Sequence, residues 1–111
     1  MKILEMNLVI ERLTDLPNIG KVLNEQLSKI DVTDAATLKK LGSQQTFLKL
    51  KSLKAPDRFY CIQMLYSLEG AIQGVSYTKL PSERKTELLN FLEKIVKLLM
   101  SSELDVSFLL L

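Results

Sequence analysis

The segment Leu16-Pro17-Asn18-Ile19-Gly20-Lys21 is where the residue types and spacing of this chain best suit a chemical task. Pro17 stops one helix and Asn18 is placed to cap the next. The first backbone N–H groups of a helix have no intrahelical partner. Those near Asn18, Ile19 and Gly20 point outward and, with the helix dipole, can hold a phosphate. Gly20 has no side chain to block the approach. Lys21 falls in the first turn, where a cation is unfavourable unless an anion sits nearby. Asp15 and Glu25 offset that cost without any ligand.

The turn has the form of a helix-hairpin-helix motif, in which backbone amides grip phosphates without reading bases. DNA-binding hairpins of this kind resemble Leu-Pro-Gly-Val-Gly, with glycine where this chain has Asn18. Asparagine tolerates the backbone angles of such a turn, but its side chain would occupy space near a phosphate. A second stretch, Leu38-Lys39-Lys40-Leu41-Gly42, shares the Leu-x-x-x-Gly frame. Two such hairpins would form a pseudo-symmetric unit, and an ordinary glycine C-cap accounts for the same residues. Lys39, Lys40 and Lys49 open a basic run that continues through Lys51, Lys54 and Arg58, with Asp57 its one acid. Such a run can track phosphates or simply solvate helix faces. Duplex DNA held by Asn18, Ile19, Gly20 and Lys21, with Lys39, Lys40 and Lys49, would bind modestly and with strong salt dependence.

Other chemistries lack their residues. The chain has no histidine and a single cysteine, Cys61. That excludes Ser-His-Asp and Cys-His catalysis, histidine-based zinc sites and an intramolecular disulfide. Cys61 reads as a small core residue. Glu83 and Glu87 share a helix face, but they flank Lys85 on a charged surface. Glu69 lies in an apolar helix and is expected to reach solvent or to pair with a lysine or Arg58. Tyr77 is expected to cover the core beneath its loop. The expectation is therefore a non-enzymatic protein with no cofactor and no metal. No signal-peptide core and no apolar run of membrane length occur. A lone thiol suits a reducing compartment, so the chain reads as cytoplasmic without a membrane partner.

The positioning elements read as helices. Met6, Val9, Ile10 and Leu13 predict a first helix over residues 2–13. Ile19, Val22, Leu23, Leu27 and Ile30 form the clearest apolar stripe, interrupted by Gln26. Thr33 is placed to cap a short helix from Asp34 to Leu41, and Gly42 ends it. Ser43 would cap a fourth helix over Gln44 to Ser52, broken at Ala55-Pro56-Asp57. A fifth runs from Asp57 or Arg58 to Ile72. Its inner face carries Cys61, Ile62, Leu65, Leu68 and Ile72. Gly70 inside it costs about 1 kcal/mol relative to alanine, which close packing by another helix would explain. Gly74 stops it. A last helix from Pro81 or Ser82 to Met100 carries Leu88, Leu92, Ile95 and Leu99.

These elements make an all-α chain of five or six helices, with a helix-hairpin-helix-like N-terminal half packed on two longer C-terminal helices. Its 111 residues suit a single domain, 1–111, since half that length would fold only marginally alone. The net charge of +2 is too mild to name a partner by itself. The tail ends Phe108-Leu109-Leu110-Leu111. Such a tail must fold back or pack against another copy, so a homodimer or another protein partner is expected.

Three stretches carry a family resemblance: Leu13-Thr14-Asp15-Leu16-Pro17-Asn18-Ile19-Gly20; Asp31-Val32-Thr33 with Leu38-Lys39-Lys40-Leu41-Gly42-Ser43; and Leu65-Tyr66-Ser67-Leu68-Glu69-Gly70-Ala71-Ile72, continuing to Leu80-Pro81-Ser82-Glu83-Arg84-Lys85. Taken in order, they resemble the C-terminal domain of the TfoX (Sxy) competence-regulator family, in which Asn18 is usual. The resemblance implies a helical fold related to helix-hairpin-helix domains. It also implies a non-enzymatic regulatory or adaptor role linked to transcriptional control of competence, exercised through protein contacts or self-association. Full-length members of the family add an N-terminal α/β domain, which is not expected in this sequence.

Overall fold

The computed structural model describes residues 11–53 and 62–101. Among these residues the chain is all-α: α1 (Lys21–Ser28), α2 (Ala35–Leu41), α3 (Ser43–Lys51), α4 (Ile62–Gln73) and α5 (Ser82–Ser101). Short 3-10 turns cover Leu13–Asp15 and Tyr77–Lys79. No strand is formed among the described residues; Arg12 and Asp34 make one isolated antiparallel bridge. The chain divides into two compact units, Met1–Leu80 and Pro81–Leu111.

The expected helix over 2–13 lies mostly outside the described residues. Its described end is not α-helical, because Arg12 is extended and bridged to Asp34 while Leu13 starts a 3-10 turn. The Ala35 N–H donates to the Glu11 carbonyl at 2.9 Å, so this segment spends its backbone groups on the start of α2.

Helix ends account for most boundaries in the first unit. Gly20, in extended conformation, is the N-cap of α1, which corrects the expectation that Asn18 caps it. At its other end Asp31 adopts φ 64°. The Asp31 N–H donates to Ser28 at 3.1 Å and the Val32 N–H to Leu27 at 2.9 Å, the paired bonds of a Schellman cap. An aspartate thus fills a left-handed position usually given to glycine, and Val32 beyond it is buried. Asp34, not Thr33, caps α2: its Oδ1 accepts the Thr37 N–H at 2.8 Å. Gly42 ends α2 at φ 87° and is also the N-cap of α3. Ser43, expected as that cap, is the first helical residue, and its hydroxyl is used elsewhere.

The core of this unit includes Leu27, Val32, Leu38, Phe47, Leu65 and Leu68, all essentially inaccessible to water. Helix α3 packs mainly on α4, and α2 touches both. Fully burying side chains of this size contributes about 1.5–3 kcal/mol each. In the second unit, α5 follows Pro81, and its first turn is tied by Lys85 N–H to the Pro81 carbonyl at 3.0 Å. Arg84 and Glu87 form an exposed ion pair at 3.0 Å.

The cap of α2 titrates. Hydrogen bonds from the Thr37 side chain and then its backbone hold the Asp34 carboxyl below its ordinary value of 3.8. A depressed folded-state value stabilises the fold above the unfolded value, and that contribution is lost as pH falls through the folded one. Asp34→Ala is therefore expected to lower stability to urea at neutral pH, with the gap from the natural chain closing on acidification. Asp34→Asn keeps an acceptor but does not titrate, so its stability relative to Asp34→Ala is expected to stay constant as pH falls, while its gap from the natural chain still changes.

Candidate functional site

The turn before α1 is built around Asn18. Its φ of 71° lies in the left-handed region, which explains how it replaces glycine in a hairpin of this shape. The side chain turns into the molecule. Its Nδ2 donates to the Val75 carbonyl at 3.0 Å and to the Ser67 carbonyl at 3.3 Å. Its Oδ1 accepts the Tyr77 N–H at 3.1 Å. Two carbonyls on one side and an N–H on the other fix which way the amide points.

Gly70 makes room for this arrangement. A Cβ at position 70 would lie 2.5 Å from Asn18 Nδ2, 2.6 Å from the Val75 carbonyl oxygen and 3.3 Å from the Tyr77 Cα. The glycine in the middle of α4 is thus explained by a side chain and a loop, rather than by another helix as expected. The same region carries the end of α4. Gly74, at φ 78°, donates its N–H to Ala71, and the Val75 N–H reaches Gly70 at 2.9 Å. This second Schellman cap turns Val75 and Tyr77 back towards Asn18. Tyr77 is half-buried, and its hydroxyl accepts from Gln63 Nε2 at 3.0 Å.

Next to Gly70, Glu69 is 6% exposed, contrary to the expectation that it reaches solvent. Its Oε1 accepts from the Ser43 hydroxyl at 2.6 Å and its Oε2 from Gln73 Nε2 at 2.5 Å. A carboxylate can be buried when donors meet both oxygens. These bonds join the start of α3 to the end of α4. Gln73 was not singled out in the sequence, and Ser43 only as a helix cap. The signal that could have found them was an acid on the inner face of an apolar helix.

The residues expected to bind phosphate are distributed as follows. Asn18 is directed inward, and Ile19 is buried in the core. Gly20 and Lys21 are exposed at the start of α1, where no side chain caps the helix and no acid lies in the first turn. Lys39 lies 3.6 Å from Glu11. Lys40 and Lys49 come together on one open groove of about 370 Å³ with Ile30, Val32 and Leu41. The tail residues Phe108, Leu109, Leu110 and Leu111, together with Cys61 and Arg58, lie outside the described residues. Among the described residues no group of three or more His, Cys, Asp or Glu side chains could hold a metal. No described helix is long and apolar enough to cross a membrane.

The model of the TfoX C-terminal domain matches residues 10–92, a span that contains both the Asn18 turn and Gly70. The chain belongs to the TfoX C-terminal domain family. Protein Sxy of Escherichia coli strain K12 is 32% identical over 85 residues, which cover 77% of this chain and 39% of that protein. The chain therefore spans about two-fifths of the length of that curated relative. Two crystal structures of Listeria monocytogenes proteins of unknown function are also similar, each 38% identical. The triclinic form has a TM-score of 0.70 and matches 76% of this chain and 92% of its own. The tetragonal form has a TM-score of 0.68, with 75% and 98% covered. In both crystals this TfoX C-terminal fold makes up nearly the whole chain.

Two substitutions test the turn of this TfoX C-terminal domain. Gly70→Ala is expected to cost about 1–3 kcal/mol by overpacking, whereas Gly20→Ala meets nothing within 4 Å and costs well under that in thermal unfolding. Asn18→Ala strands the Tyr77 N–H and leaves at positive φ a residue that tolerates it less well than asparagine, for an expected loss of about 2–4 kcal/mol. Asn18→Gly relieves only the backbone term, so it should be milder than the alanine by about 1 kcal/mol.

Proposed function

We propose that this chain is a non-enzymatic regulatory or adaptor module that works through protein contacts, including self-association. The observation that carries this reading is the surface of α5. Leu89 and Val96 are exposed, Val96 by 48%, and they lie seven residues apart with Leu92 between them. Residues at this spacing share one helix face. Leu92 and Val96 line one open depression together with Glu93 and Lys97. An apolar stripe edged by opposite charges suits contact with another helix. Membership in the TfoX C-terminal domain family supports a role in regulation, and a link to competence is part of the proposal.

A second reading is weak binding of duplex DNA. It is favoured by the uncapped start of α1, where Gly20 and Lys21 are exposed. The inward turn of Asn18 also keeps its side chain clear of a phosphate placed there.

Sedimentation velocity over a concentration series tests the first reading. The natural chain is expected to shift from monomer to dimer as concentration rises, and the double variant Leu89→Glu with Val96→Glu to stay monomeric. A natural chain that is monomeric throughout removes self-association. Fluorescence anisotropy of a labelled random duplex tests the second. Binding that weakens with salt and is lost in Lys21→Glu supports it, and no binding at low salt removes it.

A further inference from the structure

The groove beside α2 and α3 is lined, among the described residues, by the first unit. Its floor is apolar, formed by Ile30, Val32 and Leu41. Two lysines line it, Lys40 from the last turn of α2 and Lys49 from the last turn of α3. Neither makes an ion pair among the described residues, whereas neighbouring Lys39 is paired with Glu11. Among the described residues of the lining Asp31 is the one acid, so the cations there outnumber it.

The chain's own geometry builds this groove. The left-handed Asp31 ends α1 and sends Val32 into the core, leaving Ile30 half-buried at the edge. Gly42 then turns the chain so that α2 and α3 follow without a linker. Their last turns each carry a lysine, where a cation is favoured by the helix dipole.

We propose that this groove docks an acidic peptide segment of a partner protein, with an apolar side chain seated on Ile30 and Leu41 and flanking carboxylates meeting Lys40 and Lys49. Charge complementarity selects the acid, and the apolar floor selects a peptide over a nucleic-acid backbone, which offers phosphates but no aliphatic side chain. The inference rests on the reading of the chain as a protein-contact module and names one surface and one ligand chemistry for it.

The test uses the full chain labelled with nitrogen-15 and a seven-residue peptide with two leucines set between three acidic residues and glycine at each end. Amide shifts are expected at Val32, Thr37 and Leu41. The double variant Lys40→Glu with Lys49→Glu should weaken binding by about tenfold or more, while a peptide with lysines in place of its acids should bind that variant and not the natural chain. The milder pair Lys40→Gln with Lys49→Gln should give an intermediate loss and guards against misfolding of the charge-reversed chain. Absence of shifts, shifts away from the groove, or shifts unchanged in the double variant would overturn the proposal. So would a random duplex that moves the same amides more strongly than the peptide. Self-association through α5 is read separately by sedimentation, so failure of the groove leaves that reading standing.

Discussion

The first unit depends on one contact, the amide of Asn18 laid against the bare Cα of Gly70. Each side of this contact is unfavourable alone. A left-handed asparagine is uncommon, and a glycine in the interior of α4 weakens the helix. Together they allow one side chain to satisfy backbone groups of Ser67, Val75 and Tyr77. A buried backbone group left unpaired costs about 1–3 kcal/mol, so this satisfaction outweighs the roughly 1 kcal/mol lost at the glycine. The turn before α1, the end of α4 and the 3-10 turn Tyr77–Lys79 are thereby joined at one place.

A second polar tie works beside it. Glu69 is adjacent to Gly70 in sequence and receives donors from Ser43 and Gln73. Two consecutive residues of α4 thus anchor two different segments, one through a missing side chain and one through a carboxylate. The short helices α1, α2 and α3, each under ten residues, are too short to be stable in isolation. Their persistence follows from these ties and from the apolar core around Phe47 and Leu65.

What the sequence made legible was periodic or local. The helix α1, the glycine stops at Gly42 and Gly74, and the long α5 all follow from spacing and cap chemistry over a few residues, but the expected α1 stripe is only partly inward, since Leu27 is buried and Val22 is 54% exposed. What it hid was decided by distant partners. Asn18 has the chemistry of an N-cap, and nothing nearby in sequence reveals that Val75 and Tyr77 claim its amide. Thr33 and Asp34 are both good caps, and the bridge from Arg12 to Asp34 helps to place the boundary. Within the candidate site, Gly20 and Lys21 are where the motif puts them. The association of Lys40 with Lys49 needed the fold, because these residues lie on different helices.

The bonds of Asn18 span 49, 57 and 59 residues of sequence. A turn that looks local is therefore a long-range structure, and closing such loops comes late and slowly in folding. During synthesis the chain must deliver Tyr77 before the backbone at Asn18 has its full set of partners. The hairpin that could meet a phosphate thus has its full set of partners only when α4 and the segment after it are in place. A peptide cut to the turn and α1 alone would carry the motif without the conformation.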